Sequence, residues 1–231
     1  LTHGRGGNFS GQLYTASQIE VNRETERLDY DEIARTCEEV RPKVLFIGTT
    51  SYARAFDFAR LREIADSCGA YLVADIAHVA GLVVAGAYPS PVPFADIVTM
   101  TTHKTLRGPR GGMILCREAH AKAVDRAVFP GIQGGPHMNQ IGALAVALKE
   151  ASTEAFREYG RQVVENARVL AGLLTDRGLR IVSGGTDCHL MVVDLRAKHI
   201  DGKTAAIALE KAGIVCNFNA IPVSYTHLTL P

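Results

Sequence analysis

The chain has 231 residues, 47% of them hydrophobic, and a formal net charge of +1. That near-neutral balance gives no global field to gather nucleic acid or an anionic membrane. No apolar run approaches the roughly 18 residues of a bilayer span, and no basic-then-apolar leader opens the chain. The length suits one large domain, or a domain and a half. Cys37, Cys68, Cys116, Cys188 and Cys216 are odd in number and form no Cys-x-x-Cys motif. That argues against a disulfide framework or a structural zinc site and fits scattered reduced thiols in a cytoplasmic protein.

The opening stretch, Gly4-Arg-Gly-Gly-Asn-Phe-Ser-Gly11, is glycine-rich, and a short charged helix is expected near Asp31–Val40. Lys43-Val-Leu-Phe-Ile-Gly48 is the short apolar run of a buried parallel strand. Phe56, Ala59, Ile64 and Ala65 stand against Arg60, Arg62, Glu63 and Asp66 as an amphipathic helix that Gly69 closes. A strand at Tyr71–Asp75 follows, then Ile97–Thr101 and Gly112–Cys116, joined by the loop that carries Lys104. Strand, helix and strand in alternation predict an α/β architecture with a mostly parallel sheet.

From Gly142 to Gly178 the spacing is helical, with Ala143–Ala151 first. After a polar break at Ser152-Thr-Glu154, the apolar series Phe156, Tyr159, Val163, Ala167, Leu170 and Leu174 follows. A small hairpin is expected from Arg180 to Asp194 around Gly184-Gly-Thr-Asp187. A helix at Thr204–Ala212 and a strand at Ile214–Cys216 come next. The expected division is a large domain at 1–150, the start of a smaller one at 151–222, and a tail at 223–231 that continues no pattern.

Strand ends are where open α/β sheets bind ligands, so the polar groups there are the candidates for chemistry. A lysine at a strand–loop junction is most often a solvated cation, yet Lys104 has His103 before it and Thr101, Thr102 and Thr105 around it. A desolvated lysine among such donors is nucleophilic and suited to a Schiff base with a carbonyl cofactor. Asp75 directly follows an apolar strand, so it needs donors or a cation. It is either a cap or ion-pair partner, or the carboxylate that keeps a pyridine nitrogen protonated. Asp75-x-x-His78 is also a possible metal pair, but no third ligand stands nearby and no metal is expected. His103 either shapes the pocket or is an ordinary loop histidine. Gly131-Ile-Gln-Gly-Gly-Pro136 is either a turn or an anion cradle ahead of a helix. Thr50-Ser-Tyr52 places hydroxyls at another strand end.

In order along the chain, several segments closely resemble serine hydroxymethyltransferases, pyridoxal-phosphate enzymes of one-carbon metabolism. They include Leu1-Thr-His-Gly4, Ala74-Asp-Ile-Ala-His-Val-Ala-Gly-Leu82, Val98-Thr-Met-Thr-Thr-His-Lys-Thr-Leu-Arg-Gly-Pro-Arg-Gly-Gly112, Phe129-Pro-Gly-Ile-Gln-Gly-Gly-Pro136 and Ser183-Gly-Gly-Thr-Asp187. The resemblance runs to about Pro222. It implies a fold-type I large domain with Lys104 bound covalently to pyridoxal 5'-phosphate and Asp75 on the ring nitrogen. His78 would lie near the phenolic oxygen and the substrate carboxylate, with Thr50 and Thr101 at the cofactor. His103 would bear on reaction specificity, with Arg110 as a structural neighbour.

By the same matching, Gly134 and Gly135 reach the cofactor phosphate of a partner subunit, which implies a homodimer or a dimer of dimers. Leu1 falls where a folate-contacting loop ends. The implied reaction moves the hydroxymethyl group of L-serine to tetrahydrofolate, giving glycine and 5,10-methylenetetrahydrofolate. No nucleic acid or membrane partner is implied. A threonine aldolase or aminotransferase would share Lys104 and Asp75. The family's upstream phosphate-binding segment and downstream substrate arginine find no match here, so the chain by itself is expected to be inactive, a non-catalytic fragment.

Overall fold

The computed structural model describes residues 4–219. A short helix, α1 (Phe9–Leu13), capped by the Asn8 side chain, leads to α2 (Tyr30–Val40). Then β1 (Val44–Gly48), α3 (Phe58–Cys68) and β2 (Tyr71–Asp75) form a parallel β-α-β unit. The ends of α3 are set by its sequence. Asp57 accepts from the Arg60 N–H at the start, and Gly69 takes the left-handed conformation at the end, φ 73°. There the Ala70 N–H returns to the Ala65 carbonyl at 2.8 Å, a Schellman closure that turns the chain into β2.

After α4 (Ala80–Val84), β3 (Ile97–Thr101) pairs in parallel with β2, and β4 (Gly112–Cys116) pairs antiparallel with β3. The sheet order is therefore β1-β2-β3-β4. Leu45, Ile47, Leu72, Ala74 and Val98 are buried, as are Leu61, Ile64 and Ala65 of α3 and Ile33 and Cys37 of α2. Burial in β1 alternates where a continuously buried strand was expected. Its other face shows Val44 and Phe46, 47% and 38% exposed.

The chain continues through α5 (Glu118–Arg126), a π-type turn at Ala127–Ile132, α6 (Met138–Ala151) and α7 (Glu154–Asp176). Neither α4 nor α5 follows from periodicity. Helix α4 is five residues long, and α5 buries none of its side chains.

The chain divides into two compact units. One comprises Leu1–Ile19, Tyr30–Thr50 and Ala55–Gln162; the other comprises Glu20–Asp29, Ser51–Arg54 and Val163–Pro231. In the second unit, β5 (Arg180–Ile181) and β6 (Val193–Asp194) form the two-residue ladder of the expected hairpin. The hairpin is short because other segments hold its turn: the Asp187 N–H donates to the Ala53 carbonyl at 2.8 Å, and Arg54 donates to the Ser183 carbonyl at 2.6 Å. Arg180 donates to both oxygens of Glu26 and to Asp194, and Asp194 also accepts from Arg196. This network pins residues near Glu26 to the ladder. Helix α8 (Gly202–Lys211) forms with Asp201 as its cap. The expected strand at Ile214–Cys216 does not form. It has no ladder partner among the described residues, and Val215 is 85% exposed. No described helix is long and apolar enough to cross a membrane.

Candidate active site

The register brings the candidate residues together. Gly48 pairs with Asp75, and Asp75 with Thr99, so the carboxyl ends of β1, β2 and β3 share one edge of the sheet. Thr50, Asp75 to His78, and Thr101 to Thr105 all emerge there. The approach of β1 to β2 requires glycine at 48, because a Cβ would lie 2.6 Å from the Asp75 carbonyl oxygen. Asp75 itself accepts from the Ala77 N–H at 2.8 Å, which curls the chain toward His78.

The Lys104 loop is held by its own threonines. Thr102 is buried: its N–H donates to the Gly111 carbonyl at 3.0 Å, its carbonyl accepts from the Gly108 N–H at 2.7 Å, and its hydroxyl donates to the Pro109 carbonyl at 2.6 Å. Thr101 donates its hydroxyl to the Ala77 carbonyl, 3.2 Å away. The Thr105 hydroxyl donates to the His78 carbonyl at 2.8 Å and accepts from the Gly81 N–H at 3.1 Å. A side chain at 81 would collide with the loop, since a Cβ there would sit 2.0 Å from the Thr105 carbonyl oxygen. The turn over Lys104 closes with the Arg107 N–H on the Lys104 carbonyl at 2.9 Å. Arg107 accepts a left-handed φ of 63° there, and its guanidinium lies 4.8 Å from the centre of the Tyr159 ring.

His78 is half-buried, and its carbonyl is held by the Thr105 hydroxyl of the lysine loop. Burial and the Lys104 cation push its pKa below the usual histidine value, and the Asp75 carboxylate pulls it back up. One imidazole thus lies within the fields of both the amine and the carboxylate. Lys104 itself is exposed in this chain, against the expectation of a desolvated amine; the surrounding loop orients it but does not cover it.

The remaining candidates vary in how they are held. His103 has Gly111 N 3.5 Å from Nδ1 and Arg110 Nη1 3.4 Å from Nε2. Both neighbours are donors, and a neutral imidazole has one acceptor nitrogen, so only one of these contacts is a full hydrogen bond. Thr50 is exposed just beyond β1. Gly134 and Gly135 are exposed ahead of α6, and a Cβ on either would meet nothing within 4 Å. Leu1 and the 223–231 tail lie outside the described residues. Among the described residues no cluster of three or more metal-ligating side chains occurs. The roles of Gly81, Gly48 and the Arg107–Tyr159 contact were not anticipated from the sequence. A glycine two residues before a Val-Val pair was the signal for Gly81.

A mostly parallel α/β sheet, with a lysine loop after one strand and an aspartate ending its neighbour, is the fold-type I architecture. The chain belongs to the serine hydroxymethyltransferase family, whose sequence model matches residues 1–230. It is 55% identical over 222 residues to the serine hydroxymethyltransferases of Nitrosomonas europaea, Nitrosospira multiformis and Myxococcus xanthus. Each match covers 96% of this chain and 53% of the relative, so the chain spans about half the length of the curated relatives it matches.

Proposed function

We propose that the protein to which this chain belongs is a pyridoxal-phosphate enzyme. It would transfer the hydroxymethyl group of L-serine reversibly to tetrahydrofolate, giving glycine and 5,10-methylenetetrahydrofolate. The observation that carries this reading is the strand edge that brings Asp75, His78 and the Lys104 loop together. The donor set fits the cofactor: a primary amine suits its aldehyde, and a carboxylate suits its protonated ring nitrogen. When bound, the cofactor supplies an electron sink for the pair left at the substrate α-carbon.

The chain's residues have separate tasks. Lys104 holds the cofactor through its amine. Asp75, anchored by the Ala77 N–H, keeps the ring nitrogen protonated. His78 stays uncharged at neutral pH because burial and Lys104 both lower its pKa. It therefore offers one N–H donor to the cofactor's phenolic oxygen or the substrate carboxylate without adding a second cation beside the amine. Thr50 and Thr101 present hydroxyls at the same edge. His103, with Arg110 beside it, stands next to the lysine and bears on which substrate bond breaks. Gly134 and Gly135 offer backbone N–H groups to the cofactor phosphate of a partner subunit in a homodimer or dimer of dimers. A cytoplasmic setting agrees with the five free thiols.

Serine turnover by the complete protein, with and without tetrahydrofolate, tests the assignment. Glycine formation that depends on folate and is lost in Lys104→Ala is expected. Cleavage of serine indifferent to folate would favour an aldolase, and turnover that survives Lys104→Ala would remove Lys104 from its role.

A further inference from the structure

At the end of the sheet opposite the Lys104 edge, two neighbouring helices each carry a cysteine in the last turn. Helices α2 and α3 run parallel, each antiparallel to the strand that follows it, and they are tied at their starts by Arg60 on Asp31 at 3.2 Å. From that tie Cys37 lies six residues on and Cys68 eight, about 9 Å and about 12 Å along the axes. Both lie one turn after buried residues of their helices: Cys37 after Ile33, and Cys68 after Ile64 and Ala65. Beside burial, the group that bears on the Cys37 thiol is the Cys68 thiol. Their exposure differs, with Cys37 only 3% exposed and Cys68 reachable from solvent at the helix end, where its Sγ approaches the Ala65 carbonyl at 3.5 Å.

We propose that Cys37 and Cys68 are a reversible dithiol–disulfide site, oxidised by low-molecular-weight disulfides of the glutathione type, that locks α2 to α3. The inference is independent of the proposed function. The Cys68 thiolate attacks one sulfur of the small disulfide, whose S–S bond breaks and releases one small thiolate. Cys37 then gives its proton to water and attacks the Cys68 sulfur, and the second small thiol leaves. Two protein thiols are oxidised while one small disulfide is reduced to two thiols. Burial, with the Cys68 sulfur alongside, pushes the Cys37 thiol up to about 11. That assigns the first attack to Cys68 and makes the second step the slow one. The other cysteines serve as internal standards: Cys188 is buried in the other unit, while Cys116 and Cys216 are partly or fully exposed.

The test is peptide mapping. The 231-residue chain is incubated with oxidised glutathione, once in buffer and once in concentrated urea, and its remaining thiols are alkylated. The digest is then searched for linked peptides. In buffer the Cys37–Cys68 linked peptide is expected to dominate and to be several-fold enriched over urea, where the five cysteines pair without preference. A dithiol reductant restores both thiols. The Cys68→Ser variant leaves Cys37 unmodified and alkylated only after unfolding, whereas Cys37→Val leaves Cys68 capped by glutathione. Two results would overturn the proposal: the same pairing pattern in buffer and urea, or native chain in which Cys68 is capped while Cys37 stays a free thiol.

Discussion

Two glycine- and proline-rich loops of this chain are held in opposite ways. The loop from Thr101 to Gly112 is braced from within, since Thr102 alone engages Gly108, Pro109 and Gly111, and Thr105 stitches the loop to His78 and Gly81. The segment from Gly131 to Pro136 is exposed throughout, and its Gly134 and Gly135 stand clear of every other atom by 4 Å or more at the Cβ position. In the first loop glycine is needed because the chain's own backbone approaches closely. In the second, Gly135 takes a left-handed φ of 54° and Gly131 lies close to the Arg126 carbonyl, while nothing within the described chain explains Gly134, which agrees with its proposed role toward a partner subunit's cofactor.

The sharpest way to break that contrast is Gly81→Ala. Its methyl would meet the Thr105 carbonyl oxygen at 2.0 Å, backbone against backbone, so no side-chain rotation relieves it. A loss of about 3 kcal/mol in unfolding free energy is expected. A urea midpoint close to that of the parent chain would show that the two segments are not locked together.

Thr105→Val comes next. It leaves the His78 carbonyl and the Gly81 N–H without their hydroxyl partner, at a cost of about 2 kcal/mol. It should also loosen the position of His78 relative to Lys104. Urea titration reads the first effect and the NMR titration of the His78 ring the second.

A smaller effect is expected from pH. The folded-state pKa of His78 is depressed, so the unfolded chain binds its proton more readily. The stability tied to neutral His78 is complete above the usual histidine range and declines as pH falls through it toward the depressed value. The difference in stability between the parent and His78→Asn should therefore shift on acidification, with the parent losing more. A difference that stays constant with pH would contradict the placement of His78 between burial and the Lys104 cation.

Gly134→Ala should do least to the chain, within about 0.5 kcal/mol of parental stability, because the methyl enters open space and the backbone φ is not left-handed. In the complete protein the same change should weaken cofactor retention, read from the visible absorbance of the dialysed enzyme. A strongly destabilised chain would place a packing role at Gly134 that the structure lacks.

These contrasts also mark what the sequence could express. The strands at Val44–Gly48, Tyr71–Asp75, Ile97–Thr101 and Gly112–Cys116 are short apolar or β-branched runs between breakers, and the lysine loop and Asp75 fall at their ends, so both were legible. The exposure of Lys104 was not, because burial depends on neighbours that spacing does not specify. Nor was the bracing by Thr102 and Thr105. A threonine beside a lysine reads equally as a cofactor ligand or as a backbone clamp, and only the carbonyls at Pro109 and His78 decide between them. The Ile214–Cys216 run has strand propensity, but a strand exists only with an edge to pair on, and no described residue provides one. Helix α5 was invisible for a different reason: its apolar positions are three alanines and Val124, a weak signal, and none of them is buried.

The central claim is that Lys104 holds the cofactor at an edge prepared by Asp75 and His78. The most direct measurement is to reduce the complete, cofactor-loaded protein with borohydride, digest it, and locate the pyridoxyl group by mass spectrometry. The account predicts the label on Lys104 and its disappearance in Lys104→Ala. Label on another lysine in place of Lys104, or label spread evenly over the chain's lysines, would contradict it.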